Sequence, residues 1–212
     1  MSTSVLYMSM SLDGFIAGPN ETPDNGLGDG GGRLHDWLVA ESPPEVDGSH
    51  EHLRQAILGS VSGVDRQIVD EFMATGAVVA GRGTVEPAGY WRGDHHDGVP
   101  IFILSRGEPP AEAREWPLIT FVDDVATAMD RARQAAGGKD VLVHGAGVAR
   151  LALAAGVLDE LELHVIPVLF GKGRRLFEGL PAEQIELERT RVLEGEGSVT
   201  HVHYRVVRGT RP

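Results

Sequence analysis

Residues 140–177, DVLVHGAGVARLALAAGVLDELELHVIPVLFGKGRRLF, constrain the fold of this chain more than any other stretch. Val141-Leu142-Val143 is a short apolar run of the kind buried on both faces of a sheet. The run breaks at His144-Gly145-Ala146-Gly147, and an Ala/Leu-rich helical pattern follows to Ala155. Gly156 ends that pattern, because glycine enters the left-handed region without a Cβ penalty. Residues 161–170 read as a second strand, and 171–175, GKGRR, as a tight basic turn. Strand, glycine turn and helix in succession present free backbone N–H groups and a positive dipole end, which can hold a pyrophosphate. Gly145-Ala146-Gly147 lacks the third glycine of the dinucleotide fingerprint, so it reads equally as a turn closing a βα unit.

The remaining segments extend this pattern. Residues 5–11 predict a first strand, and Asp13-Gly14 is a turn that returns the chain into an apolar segment. Residues 18–32 hold six glycines and two prolines and read as a mobile loop. Residues 34–39 predict a short helix, and 42–63 are polar and irregular apart from a turn or two near 52–58. Apolar positions 64, 68, 69, 72 and 73 form one helical face that ends at Gly76. Strands follow at 77–80, 100–104 and 118–122, then a helix at 125–136 capped by Asp123 or Asp124. Residues 185–193 and 199–207 predict a terminal antiparallel hairpin. Alternating strands and helices imply an α/β fold with a mostly parallel sheet and an antiparallel edge. A chain of 212 residues can bury its core as one domain spanning 1–212.

Charge narrows the partners. A net charge of −12 argues against nucleic acid or an anionic membrane as the main partner, so an anionic ligand needs a local cluster of arginines. The absence of cysteine removes disulfides and Cys-based zinc sites and suits a reducing compartment. The first residues carry no basic run, and Ser9, Ser11 and Asp13 interrupt their apolar stretch, so a cytoplasmic location is expected.

Three turns then stand at the carboxyl ends of three expected parallel strands: Gly81-Arg82-Gly83-Thr84, Ser105-Arg106 and His144-Gly145-Ala146-Gly147. Ligands of open α/β sheets bind at that edge. Each arginine alone reads as a solvated surface charge, but its planar fork also suits a ribose phosphate.

The order Ser11-Leu12-Asp13-Gly14-Phe15-Ile16-Ala17, Gly81-Arg82-Gly83-Thr84, Leu104-Ser105-Arg106 and Gly145-Ala146-Gly147 resembles the dihydrofolate reductase-like superfamily. Within it, the chain is most similar to the reductase domain of the bifunctional riboflavin-biosynthesis deaminase-reductase, a similarity that the segment 157–173 also carries. The resemblance implies an NADPH-dependent reductase built on a central sheet of about eight strands. It places Arg82 at the 2′-phosphate, Thr84 at the pyrophosphate, and Ser105 and Arg106 around the adenosine end. Gly81, Gly145, Ala146, Gly147 and Val148 would let the backbone approach the cofactor, with Ala17 along the nicotinamide. Met10, Asp13 and Trp37 fall on the substrate side. A homodimer and a small-molecule substrate complete the expectation.

The chemistry implied is hydride transfer to a polarised C=N or C=O carbon, and it requires a proton donor near the acceptor heteroatom. Asp36, beside Trp37, is the first candidate, and Glu86 the second. In the riboflavin reductases a catalytic acid follows the Thr-Val pair within a short acidic stretch ending in proline. Here the chain reads Thr84-Val85-Glu86-Pro87-Ala88, and that acid is absent at its expected place. No His/Cys signature of a deaminase zinc site occurs. These departures imply a stand-alone reductase with an altered substrate, a folate-type reductase, or a non-catalytic or resistance-type binding module using the same pocket. The histidine pairs His50/His52, His95/His96 and His201/His203 read as surface or sheet-face residues, and no metal is expected.

Overall fold

A computed structural model of the chain describes residues 2–22, 24–38, 59, 61–181 and 184–208. The irregular segment expected at 42–63 lies largely outside these residues. Its core is an eight-stranded sheet in the order β5-β4-β3-β6-β1-β7-β10-β9. The strands are β1 (Ser4–Ser11), β3 (Ala77–Gly81), β4 (Ile101–Leu104), β5 (Ile119–Val122), β6 (Val141–His144), β7 (Glu160–Ile166), β9 (Leu187–Glu194) and β10 (Thr200–Val206). From β5 to β7 every neighbouring pair is parallel, whereas β10 pairs antiparallel with both β7 and β9. The α/β reading and the C-terminal hairpin are therefore observed.

Among the described residues the α-helices are α1 (Gly63–Met73), α2 (Arg82–Val85), α3 (Val125–Ala135) and α4 (Ala146–Ala154). Asp124 caps α3 by accepting from the Thr127 backbone N–H at 2.7 Å. Alternation along the strands divides the core in two. On one side Leu6, Val79, Val143, Leu161 and Leu163 pack against Ala128, Met129 and Ala132 of α3 and Val148, Ala149 and Ala152 of α4. On the other, Val5, Tyr7, Val78, Ala80, Ile101, Ile103 and Leu142 form a second layer, with Phe72 of α1 and Trp91 against it. No helix among the described residues is long and apolar enough to cross a membrane.

Three local expectations change. The strand expected over 161–170 ends at Ile166, before Pro167, which cannot donate to a ladder. The basic turn contains a two-residue strand, β8 (Arg174–Arg175), which pairs with β2 (Phe15–Ala17). Residues 18–22 and 24–32 form hydrogen-bonded turns where a mobile loop was expected: Gly18 N–H donates to Leu27 O at 2.8 Å, and Asp29 N–H to Pro19 O at 2.8 Å. A Cβ on Gly18 would lie 2.0 Å from Asp29 O, so this glycine permits close approach of two backbones.

One polar cluster pins the start of β1 to β7 and α3. Asp159 Oδ2 accepts from Ser4 N–H at 2.9 Å, Ser4 Oγ at 2.8 Å and Arg133 Nη2 at 2.7 Å. Arg133 also donates to Val157 O at 2.9 Å, and Arg208 donates to the other Asp159 oxygen. Burial alone would raise the Asp159 carboxyl, but the Ser4 and Arg133 hydrogen bonds outweigh it and hold it below the usual range. Asp159→Asn is expected to lower the free energy of unfolding at pH 7 by about 2 kcal/mol. Urea titration checks this: the midpoint should fall at constant slope. The gap from the unsubstituted chain should narrow in acid, because a depressed carboxylate loses its contribution as pH falls through its folded value.

Candidate active site

The three glycine-bearing turns meet at the carboxyl edge of the sheet. β3 and β6 are adjacent, so the turns that leave them face each other. A Cβ on Gly145 would lie 2.2 Å from Thr84 Oγ1, and one on Gly81 would lie 3.3 Å from Val148 Cγ2. Gly145 also has φ 93°, a conformation that favours glycine. Only backbone fits between these turns. No side chain caps α4, so the N–H groups of its first turn stay directed out of the helix end. In front of Gly147 an added Cβ would meet nothing within 4 Å.

Arg82 bridges from the first turn to the second. Its Nη1 lies 3.4 Å from Glu108 O and 2.9 Å from where a Cβ on Gly107 would be. Ser105 Oγ accepts from Gly107 N–H at 3.2 Å and shapes that turn, while Arg106 stands exposed on its rim. The Arg82 Nε donates to Glu86 Oε1 at 2.7 Å, and its Nη2 donates to the same oxygen. Tyr90 OH donates to that oxygen too, at 3.3 Å. Glu86 is thus a partner of Arg82 rather than a free carboxylate.

Ala17 is brought to the same edge by the β2–β8 pair. A Cβ on Gly173 would lie 2.1 Å from Ala17 O, so the basic turn rests directly on Ala17. Arg174 reaches over to Gly83, its Nη1 3.0 Å from where a Cβ would stand, and pairs with Glu21 at 2.8 Å. Asp13 uses its carboxylate to fasten this turn, accepting from Ser11 Oγ at 2.6 Å, Phe170 N–H at 3.1 Å and Gly171 N–H at 2.7 Å. The Ser11 hydroxyl, followed by the Gly171 and Phe170 N–H groups, lowers the Asp13 carboxyl to about 2. Met10 packs on the α3/α4 side of β1.

The opposite face of the sheet carries a cluster that sequence reasoning missed. The structure places Asp36 at the end of a 3-10 turn, Gly31–His35, where it is exposed and pairs with Arg33 at 3.1 Å. Leu34 enters the core instead, and His35 Nδ1 is buried without a hydrogen-bond partner among the described residues. Trp37 donates its Nε1–H to Ser9 Oγ at 3.0 Å and lies 4.6 Å from the His164 ring. Alongside, Trp91 stands 4.4 Å from His95 and 6.3 Å from His144, and Phe72 stands 5.9 Å from His144. Tyr90, Trp91 and Arg92 all have positive φ, between 50° and 53° for two of them and 49° for Trp91. Three consecutive left-handed non-glycine residues cost about 1–2 kcal/mol each, a strain of the kind that clusters at functional sites.

Burial disfavours the charged form of His35, His144 and His164. Burial, with help from His35 and His96, lowers the His144 imidazole to about 4. Burial lowers His35 as well, and burial with the neighbouring His201 lowers His164 further. His96 is buried rather than on the surface, and His201 lies on a sheet face that is covered, beside a buried His164 that the sequence did not single out. The signal for them is not local: His164 meets His201 only through the β7–β10 register. A neutral imidazole offers one donor and one acceptor to a ligand.

The model of the RibD C-terminal domain matches residues 3–200. Among solved structures, a putative riboflavin biosynthesis protein from Shewanella sp. PV-4 is similar at 20% identity and TM-score 0.67, covering 97% of this chain and 99% of its own. A pyrimidine reductase-like protein from Corynebacterium diphtheriae is 13% identical, with TM-score 0.59 and coverage of 98% and 93%. A deaminase/5-amino-6-(5-phosphoribosylamino)uracil reductase from Thermotoga maritima is 14% identical, with TM-score 0.56, covering 97% of this chain and 57% of its own. A search of curated protein sequences found no match.

The depressed histidines generate a pH dependence. His144 binds its proton near pH 4 when folded but near its ordinary 6.5 when unfolded. Between those values the unfolded chain holds more protons, so stability is complete above about pH 6.5 and falls as pH drops toward 4. His144 alone accounts for a loss on the order of 3 kcal/mol. Urea unfolding of the chain and of His144→Asn across pH 4–7 checks this. The variant should lose much of the slope, leaving what His35 and His164 contribute, and an identical slope would refute the assignment.

Proposed function

The chain belongs to the RibD C-terminal domain family, and on that premise we propose that it is an NADPH-dependent reductase acting on a C=N or C=O bond of a flat heterocycle. The substrate would be similar to 5-amino-6-(5-phosphoribosylamino)uracil, the compound named for the Thermotoga maritima protein. The observation that carries this reading is the convergence of three turns at one edge, with the uncapped α4 terminus against Thr84 and Arg82 reaching to the Gly107 turn. The open space before Gly147 and the glycine-only approach at Gly145 suit a pyrophosphate. A bound NADPH would supply the hydride.

The chain's own residues do the rest. The backbone at 145–148 and Thr84 would hold the pyrophosphate, and Arg82, with Ser105 and Arg106 beside it, the 2′-phosphate and adenosine end. Ala17 would limit the nicotinamide position. Trp37 and Trp91 would sandwich a flat ring, while His144 and His35 offer a donor and an acceptor to its heteroatoms. His144 is the last residue of β6, one position before the Gly145 turn, so a proton relayed through it arrives next to the proposed cofactor site. A second reading, a binding module without catalysis, draws support from one observation. Both carboxylates expected as acids, Asp36 and Glu86, are ion-paired with arginines. The proposal includes a homodimer, supported by the exposed edge strand β9 with Leu187 and Val192, and sedimentation over a range of concentrations tests it.

Fluorescence titration with NADPH and NADH tests the reductase reading. NADPH should bind at micromolar concentration, NADH about tenfold or more weakly, and Arg82→Ala should erase that preference at a cost of about 1.4 kcal/mol for NADPH. Failure of both nucleotides to bind would sink the proposal, and binding without turnover of any reducible heterocycle would favour the binding module.

A further inference from the structure

The covered face of β7 and β10 holds a cluster that the reductase reading does not use. Glu162 and His164 are two residues apart on β7 and so share a face, and His201 on β10 lies directly opposite His164. One carboxylate oxygen of Glu162 and one ring nitrogen of each histidine lie within 4.8 Å of one another, and all three residues are buried. The two Nδ1 atoms are 2.9 Å apart. On its other side, His201 Nε2 is 2.8 Å from Asp65 Oδ1 at the start of α1. A carboxylate only accepts, so Asp65 fixes the proton on Nε2 and leaves the His201 Nδ1 lone pair facing the cluster. Asp65 Oδ2 is itself held by the Glu196 N–H at 3.1 Å. This carboxylate–imidazole pair is the arrangement that orients a metal-binding histidine.

Glu162 supplies an independent observation. Its side chain is 1% exposed, and its Oε2 accepts from Arg191 Nη2 at 2.9 Å. Its Oε1 is buried and has no hydrogen-bond partner among the described residues. An orphaned carboxylate oxygen is costly to bury. Charge points the same way. Arg191 is already bound to Glu71 by hydrogen bonds of 2.7 and 2.6 Å. The cluster thus sets the carboxylates of Asp65, Glu71 and Glu162 against one guanidinium, and a dication would restore the balance.

We propose that Glu162, His164 and His201 bind one divalent first-row transition metal, with Asp65 as the outer carboxylate that orients His201. Two imidazole nitrogens and one carboxylate are a ligand set suited to Zn²⁺ and its neighbours. Bonds of about 2.0–2.2 Å place tetrahedral ligand atoms roughly 3.3 Å apart, so the imidazole pair opens by a few tenths of an ångström while Glu162 swings inward. The ring of Trp37 lies 4.6 and 4.9 Å from the His164 and His201 rings, which puts the ion beneath one wall of the proposed substrate pocket. Bound there, it would tie α1, β7 and β10 together. This assignment stands independently of the reductase proposal, and its test needs no turnover.

The experiment takes the full chain, strips it with chelator, and titrates Zn²⁺ by calorimetry, with elemental analysis after gel filtration. One equivalent per chain and a raised melting temperature are expected. Glu162→Gln and His201→Gln should abolish uptake at this stoichiometry, and Asp65→Asn should weaken it about ten- to a hundredfold. Loading the unsubstituted chain with Co²⁺ decides the matter should the variants fail to fold. Visible ligand-field absorption, with selective broadening of the His164 and His201 ring resonances and none at His144, supports the site. No uptake of Zn²⁺ or Co²⁺, uptake that survives His201→Gln, or broadening at other histidines overturns it, leaving a network neutralised by protons.

Discussion

The first strand is buried on both faces at the middle of the sheet, and it nevertheless carries three buried serines. Each hydroxyl must find a partner or cost its full desolvation, and each partner is a different part of the molecule. Ser4 is bound to Asp159 and Val157 where β7 begins. Ser9 accepts from Trp37 and so fixes the polypeptide that follows the 3-10 turn. Ser11 donates to Asp13 and accepts from the Phe15 N–H, which sets the turn into β2. The requirement to satisfy three hydroxyls in an apolar strand thus positions the β7 start, the Trp37 wall and the Ala17 approach together. A strand of valine and leucine alone would pack as well and position none of them.

Alternation along the same strand separates two kinds of surface. Leu6, Met8 and Met10 face the α3/α4 layer, beside the uncapped α4 terminus. Val5, Tyr7 and Ser9 face α1, Trp37 and the histidines. The edge where these surfaces meet is where β3, β4 and β6 end, so phosphate-type donors and aromatic rings are brought within reach of one another by strand length alone. In a chain of net charge −12, Arg82 and Arg174 at that edge are local exceptions, each already held by a carboxylate, Glu86 and Glu21 respectively. An anion arriving there competes with Glu86 for a guanidinium that is already oriented.

Much of this edge was legible in the sequence because its determinants are local. A β-branched run followed by Gly145-Ala146-Gly147 specifies a strand, a backbone-only turn and a helix within fifteen residues. The histidine face was not legible, because it is made by register: His164 and His201 are far apart in sequence and face each other through one antiparallel pairing. Asp36 shows a subtler limit. A helix beginning at 34 and a 3-10 turn ending at 35 differ by only a few residues, yet the frame decides which of His35, Asp36 and Trp37 points inward. The glycine-rich segment at 18–32 misled in the other direction. At Gly18, Gly26 and Gly28 the missing side chain permits close approach, as Gly18 against Asp29 shows.

The left-handed turn at 90–92 shows how the site sustains its strain. Unfavourable φ angles at three consecutive residues persist only where the surroundings over-determine them. Tyr90 is buried, packs its ring 5.7 Å from Trp116 and 6.4 Å from Phe121, and ends in a hydrogen bond to Glu86. Gly93 then lets Trp116 press on the backbone, since a Cβ there would lie 2.6 Å from that ring. Burial of two aromatic rings at this turn contributes several kcal/mol, enough to offset a strain of roughly 3–6 kcal/mol. The result is that Trp91, between an anchored Tyr90 and a glycine, is held against His95 and His144 rather than released to solvent. One chain of contacts therefore runs from Arg82 through Glu86 and Tyr90 to Trp91, joining the carboxyl edge of the sheet to the face that the histidines line.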